Sequence, residues 1–192
     1  KALEALGISL AGIRRLEENF TACAYITTDK KGNQITGFSP AAMNTPCDPA
    51  FYPRPAAGDW ALVGPGNVED MQALPALYRS KKTPYIFDPG QQVPALTPQA
   101  LLEGFSGAAA LIGNDYEIEL IGKMTGLTKP EMMERVDYLI TTFGDAGSEV
   151  ARKDRDKPRH IAAVAVPHVA DPTGAGDAYR AGMLKALHAG LD

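Results

Sequence analysis

The residues best suited to chemistry lie near the end of the chain, in a glycine-rich turn that leads into a helix. Gly174 and Gly176 flank Ala175, and Asp177 follows directly. Backbone N–H groups at such a helix start lack intrahelical partners, and together with the helix dipole they favour an anion. A carboxylate beside a bound phosphate repels it, so Asp177 is best explained as a base that takes the proton of an attacking hydroxyl. This pattern predicts phosphoryl transfer to an alcohol.

A purely structural alternative exists for the same residues. Asp177 would then be an ordinary dipole partner in the first turn of a capped helix. The predicted helix carries apolar residues at helical spacing, which indicates one buried face. These residues are Ala178, Ala181, Leu184, Leu187 and Leu191. Gly182 would let a neighbouring element approach this helix closely.

The stretch from Asp171 to Leu184 resembles the C-terminal signature of the ribokinase-like (pfkB) family of sugar and nucleoside kinases. The resemblance implies a three-layer α/β/α sandwich with a mostly parallel sheet, and transfer of the γ-phosphate of ATP to a primary hydroxyl. Asp177 would be the general base, and the N–H groups of Gly174, Ala175 and Gly176 would form the anion hole.

The same resemblance implies a cation site beside this turn. Asp171 and Thr173 match positions that bind a monovalent cation in some relatives, so K⁺ is a further expectation. A turn-forming Asp171 is the alternative. Arg180, one turn after Asp177, could reach the phosphate or be a solvated helix charge.

Two further motifs match the family in the same chain order. Asn114 and Glu117 match its Asn-x-x-Glu motif, in which the glutamate helps to hold Mg²⁺ through water; a capping box is the alternative. Thr142, Gly144 and Gly147 match its Thr-x-Gly-x-x-Gly motif, which contacts the phosphates and ribose of the nucleotide, although a plain turn fits too.

Strands and helices alternate through most of the chain, which indicates a parallel sheet with helices on both faces. The predicted strands are 60–63, 85–87, 108–112 and 138–144, followed by a β-ribbon of 148–152 and 159–166. The predicted helices are 68–78, 98–105, 118–125 and 130–136. Each motif falls at a strand end, where ligands bind in such sheets. Asp88 also lies at a strand end and could approach the metal, although Asp-Pro-Gly is first of all a turn.

A β-hairpin is predicted at about 20–40, from Thr21–Thr28 and Gln34–Phe38 around a turn at 29–33. In the family a hairpin at this place looks like the lid over the acceptor, and Phe38 could stack on a base or a sugar face. An edge hairpin is the alternative. Its exposed edge could also pair with a second subunit, giving a homodimer.

Composition excludes several classes of protein. The 192 residues suit one domain with a core, and a net charge of −4 gives no basic patch for nucleic acid. No apolar run is long enough to span a membrane. Cys23 and Cys47 show neither metal spacing nor a disulfide framework, which indicates reduced thiols and a cytoplasmic location. Both ends look cut, so 1–192 is expected to be one partial ribokinase-like domain.

The hairpin region bears on the identity of the acceptor. Residues 27–44 look most like bacterial adenosine kinase-like members, which favours adenosine; ribose, fructose or another sugar is the alternative. Two further alternatives are a non-catalytic nucleoside-binding regulator and a dinucleotide-dependent oxidoreductase. The chain has no P-loop, and Gly174–Tyr179 lacks the third glycine of a dinucleotide fingerprint.

Overall fold

The computed structural model describes residues 2–29, 34–169, 171 and 173–190. The chain divides into two compact units, Lys1–Arg54 with Gly66–Asp70, and Pro55–Pro65 with Met71–Asp192. That 1–192 is one partial domain stays a prediction. None of the helices in the described ranges has the length and apolar character that crossing a bilayer requires.

The first unit contains the predicted hairpin. Helix α1 (Ala2–Ala5) is followed by Gly7 at φ +72°. Strand β1 (Cys23–Thr28) runs antiparallel to β2 (Gln34–Ser39). Most of the predicted turn, 30–33, lies outside the described residues. Two 3₁₀ helices, Ala41–Asn44 and Pro49–Phe51, follow the hairpin.

The hairpin carries apolar side chains on both of its faces. The register pairs Ala24 with Phe38, so these two share one face with Ile26, while Tyr25 and Ile35 belong to the other. Tyr25 and Phe38 are 68% and 51% exposed. A two-stranded sheet is marginally stable in water by itself, so these apolar residues are suited to be covered by a ligand or a partner.

The second unit is built on a six-stranded sheet whose spatial order follows the chain. Its strands are β3 (Ala61–Val63), β4 (Tyr85–Phe87), β5 (Ala110–Asn114), β6 (Tyr138–Thr142), β7 (Ser148–Arg152) and β8 (Arg159–Ile161). The first four are parallel, and β7 and β8 are antiparallel, which confirms the mostly parallel sheet and its ribbon. Strand β6 ends at Thr142, two residues before its predicted end, and the ribbon does not extend to Val166 as predicted. Ile161 already pairs with Ser148, the first residue of β7, so β8 has no partner beyond it.

The predicted helices are present, with shifted ends. They are α2 (Val68–Lys81), α3 (Pro98–Phe105), α4 (Asp115–Thr125), α5 (Lys129–Met133) and α6 (Ala175–His188). Local capping explains several of these ends. Thr97 caps α3, Thr128 closes a capping box at α5, and Gly126 ends α4 at φ +73°.

Helices cover both faces of this sheet. Ile86, Ala110, Ile112 and Ile140 form a buried cluster on one face, and α6 packs against it. Phe87 points to the opposite face because successive strand residues alternate. There it meets Gly104 of α3. The arrangement is the predicted three-layer α/β/α sandwich.

The face of α6 that packs on the sheet is only partly the predicted one. Leu184 and Leu187 pack there as predicted, but Ala178 and Ala181 are exposed, and Tyr179 and Met183 take their place. Leu191 lies outside the described residues. Large side chains bury more apolar area than alanine does, so the helix turns them toward the sheet. Gly182 has no atom within 4 Å of an added Cβ among the described residues, so the predicted close approach is not found.

Two helical glycines give opposite expectations on replacement by alanine. A Cβ at Gly104 would overlap the Phe87 ring, so we expect Gly104→Ala to destabilise the fold by roughly 1–3 kcal/mol. Gly182→Ala is the control and should stabilise α6 by about 0.5–1 kcal/mol, since nothing opposes its Cβ. Urea unfolding of the full-length protein measures both. Equal effects would contradict the packing of α3 on Phe87.

Candidate active site

Three polar residues lie at one edge of the parallel sheet, where consecutive strands end. Asp88 follows β4, and its N–H continues the ladder by donating to Val63 O at 2.9 Å. Asn114 ends β5 and pairs with Thr142, the last residue of β6. Parallel register therefore brings the three predicted strand-end motifs together within this unit.

The start of α6 is tied to the same edge by two neighbouring side chains. The Tyr179 hydroxyl donates to Oγ of the buried Ser148 at 3.0 Å, and Ser148 pairs with Thr142 across the sheet. Arg180 forms an ion pair through Nε with the Asp88 carboxylate, which is fully buried. These two contacts place the first turn of α6 beside the ends of β4 and β6.

The glycine turn opens into a hollow of about 370 Å³. Its lining residues are Pro65, Gln91, Gly174, Gly176, Asp177 and Arg180. Gly174 is the N-cap of α6 at φ +83°, a left-handed conformation that favours glycine. The Asp177 side chain is 87% exposed and accepts a hydrogen bond from Arg180 Nη1 at 3.1 Å. An open carboxylate thus lies beside the N–H groups that a helix start leaves without intrahelical partners.

The turn before Gly174 shows the structural role of Asp171. Its carboxylate accepts the Thr173 N–H at 2.8 Å, and this hydrogen bond lowers the pKa of Asp171 below its ordinary value. The turn-forming alternative is therefore realised. Pro172, between them, lies outside the described residues. A monovalent cation at Asp171 and Thr173 stays a prediction.

Asp88 has the most unusual electrostatic environment of these residues. Burial raises the pKa of its carboxyl above the ordinary value, the Arg180 guanidinium and the Gly90 N–H oppose this, and the charge of Glu117 adds to it. The charge of Glu117, in the Asn114–Glu117 motif, therefore acts on the Asp88 carboxyl.

Asn114 and Glu117 form the capping box that was the alternative to a metal role. Glu117 N donates to Asn114 Oδ1, and Asn114 N donates to Glu117 Oε2, each at 2.8 Å. Capping uses Oε2, so a water-mediated Mg²⁺ contact through Oε1 is compatible with it. Magnesium usually keeps several waters and needs one or two carboxylates, which fits this donor set. The Mg²⁺ role stays a prediction.

The predicted nucleotide turn has a structural reason of its own. Gly144 and Gly147 take φ +60° and +92°. A Cβ at Gly147 would overlap the carbonyl of Ile161 and come within 2.8 Å of Ala163 N. Glycine is therefore needed at 147 whether or not a nucleotide binds. The nucleotide role of Thr142, Gly144 and Gly147 stays a prediction, as does the lid role of Phe38.

Sequence reasoning missed the partners of Arg180. The sequence indicated that Arg180 either contacts the phosphate or is a solvated helix charge. In the structure its guanidinium contacts both Asp88 and Asp177. The one available signal was an acidic residue directly after a short apolar strand, at Asp88.

Comparison with known proteins identifies the family of the chain. The family model of the pfkB family carbohydrate kinases matches residues 1–192. The chain belongs to the pfkB family. A nucleoside kinase of Methanocaldococcus jannaschii is 34% identical over 196 residues, covering 99% of this chain and 61% of that protein.

Solved structures of the family share the fold. The nucleoside kinase of Burkholderia thailandensis in complex with inosine superposes with a TM-score of 0.88 at 35% identity, covering 100% of this chain and 61% of that one. Its complex with ADP-inosine superposes with a TM-score of 0.84 at 36% identity, covering 97% of this chain and 57% of that one. The fold is therefore ribokinase-like. The chain spans about three fifths of the length of these relatives.

The buried Asp88 gives a signed pH dependence of stability. The pKa of Asp88 is raised in the folded state. Its contribution to the free energy of unfolding is therefore complete below the unfolded pKa of about 3.9, and it is lost as the pH rises through the folded pKa. Each unit of difference corresponds to about 1.4 kcal/mol. We expect the Asp88→Asn variant to lack the fall in unfolding free energy that Asp88 causes as the pH rises.

The measurement is the difference in unfolding free energy between wild type and Asp88→Asn from pH 4 to pH 8. The difference is needed because Glu131, Asp154 and Asp171 have lowered pKa values and act in the opposite sense. A difference that does not change with pH would contradict the assignment.

Proposed function

We propose that the full-length protein transfers the γ-phosphate of ATP to a primary hydroxyl of a nucleoside. The observation that carries the proposal is the exposed Asp177 carboxylate in a hollow that also contains the Gly174–Gly176 turn. A base for the nucleophile and donors for the developing charge are thereby adjacent. The nucleoside kinases among the relatives support the same activity.

The proposed reaction depends on positioning and electrostatics. Asp177 takes the proton of the acceptor hydroxyl while its oxygen bonds to the γ-phosphorus and the bond to the β-phosphate breaks, releasing ADP. The N–H groups of Gly174, Ala175 and Gly176 stabilise the charge on the transferred group. Mg²⁺ neutralises phosphate charge when bound, and Glu117 would hold it through water.

The nucleotide would be seated by Thr142, Gly144 and Gly147. Thr142 lies next to Asn114 in the sheet, so this seat and the Mg²⁺ position would be neighbours. The ADP-inosine complex of the B. thailandensis relative supports ATP as the donor. A K⁺ ion at Asp171 and Thr173 would shape the turn without entering the chemistry.

Adenosine is the acceptor that residues 27–44 favour, and the B. thailandensis relative binds inosine. A purine nucleoside is therefore the proposed acceptor class. A sugar such as ribose or fructose is the second candidate, since ribokinases share the fold. A regulator without catalysis is disfavoured by the open Asp177. The family supports a cytoplasmic location.

The hairpin would serve as the lid and as a dimer contact. Phe38 on one face is available to an acceptor, and Tyr25 and Ile35 on the other are available to a second subunit. Sedimentation of the full-length protein tests this, with a dimer expected and a monomer expected for Tyr25→Ser with Ile35→Ser. A dimer that persists in this variant would exclude the hairpin as the contact.

Replacement of the proposed base should abolish most of the activity. We expect Asp177→Asn to lower kcat by roughly 10²–10⁴-fold with little change in KM, since the side chain acts on the reacting proton. Glu119→Gln is the control, because it removes an exposed carboxylate that pairs with Lys123 on the surface of α4. Near-normal turnover of Asp177→Asn would exclude this residue as the base.

A panel of acceptors separates the candidate functions. Full-length protein with ATP and Mg²⁺ is tested with adenosine, inosine, ribose and fructose, and ADP release is measured. A kcat/KM for a nucleoside well above that for either sugar is expected. A preference for ribose or fructose would favour the sugar kinase, and no ADP release with any acceptor would favour the regulator.

A further inference from the structure

Arg180 lies between two carboxylates that come from different parts of the chain. Its Nε pairs with Asp88, which follows β4, and its Nη1 donates to Asp177 Oδ1 at 3.1 Å, one turn earlier in α6. The donors of a guanidinium are held in a rigid planar fork. Fixing one edge of the group therefore fixes the direction of the other.

We infer that Arg180 is a positioning residue for the general base: the buried Asp88 carboxylate fixes the guanidinium, and the guanidinium holds the Asp177 carboxylate at the hollow. This inference rests on the proposed kinase function. It assigns to Asp88 and Arg180 a task that neither performs by touching the substrate.

Exposure decreases along this chain of contacts. The Asp177 side chain is 87% exposed, that of Arg180 is 19% exposed and that of Asp88 is fully buried. An ion pair between two exposed side chains gains little, because both must be ordered to form it. Here Arg180 is already ordered, so only Asp177 loses freedom when the pair forms.

Gly176 completes the restraint on Arg180. A Cβ built on Gly176 would lie 2.8 Å from Arg180 Nη1 and 3.6 Å from Cζ. The guanidinium therefore lies directly against the backbone of the glycine turn. Any larger residue at 176 would displace Arg180 as well as fill the hollow.

The charges favour positioning over direct binding of phosphate. The single positive charge of Arg180 faces two carboxylates, so it is compensated before any anion enters the hollow. Its Nε and Nη1 both point to these carboxylates. What the arrangement supplies is alignment, and a misplaced reactive group can cost on the order of 100-fold in rate.

A contribution to stability explains the presence of the buried Asp88–Arg180 pair poorly. Replacing a buried ion pair by apolar residues is often neutral or stabilising, because desolvation offsets the attraction between the charges. Burial indeed raises the pKa of Asp88 despite its partner. A role at the site gives this pair a function that does not depend on its net contribution to folding.

The main test uses a paired variant, Asp88→Asn with Arg180→Met, in the full-length protein. Removing Arg180 alone would leave a buried charge without its partner and could unfold the protein. We expect the paired variant to fold and to lose roughly 10- to 100-fold in kcat, with KM values changed less than about threefold. Lys185→Met is the matched control, since it removes one exposed positive charge from the same helix.

A double-mutant cycle shows whether Arg180 acts through Asp177. In the Asp177→Asn background the paired variant should cost less than about twofold further, because the residue being positioned is already gone. The same fold-loss in both backgrounds would mean that Arg180 acts directly on the phosphate, and this would overturn the inference.

Arg180→Lys gives an independent readout and carries the test if the paired variant does not fold. Lysine keeps the charge but lacks the rigid fork, so its kcat should stay well below wild type. A wild-type kcat for Arg180→Lys would overturn the inference.

The two proposals fail in different ways. If Asp177→Asn keeps its turnover, the proposed function fails. If Asp177→Asn loses turnover while the paired variant keeps wild-type kcat, the function stands and only the positioning role of Arg180 is overturned.

Discussion

The contact between the buried Asp88 carboxylate and Arg180 is the interaction on which the geometry of the site depends. It joins the end of β4 to the first turns of α6, and Tyr179 adds a second link to Ser148 at the start of β7. Apolar packing sets which face of α6 meets the sheet, although none of its described residues is fully buried. The two polar contacts then fix the start of the helix, and with it the glycine turn, at the strand ends.

Structural and chemical demands coincide at the residues of the family motifs. Asn114 and Glu117 cap α4, and Gly147 makes room for the backbone after β8. Each of these structural roles requires its residue type even when no ligand is bound. A catalytic function is favoured because these motifs meet at one edge of the sheet beside an open carboxylate.

The sheet edge also explains why the motifs can be distant in sequence. Parallel strands β4, β5 and β6 end at the same side, so the residue after each one joins a common surface. The α6 turn reaches that surface from the opposite end of the unit's sequence. The candidate site is thus assembled from short local motifs on one sheet.

Local patterns in the sequence were sufficient for the strands, the helices, the hairpin and the glycine turn, because periodicity, caps and turn residues act within a few positions. The end of β8 and the face of α6 were not predictable in this way. Ile161 stops the strand because its partner begins at Ser148, and Tyr179 and Met183 replace Ala178 and Ala181 on the sheet because they bury more area. The pairing of Asp88 with Arg180 likewise needed the fold, since only the packing of α6 on the sheet brings these distant residues together.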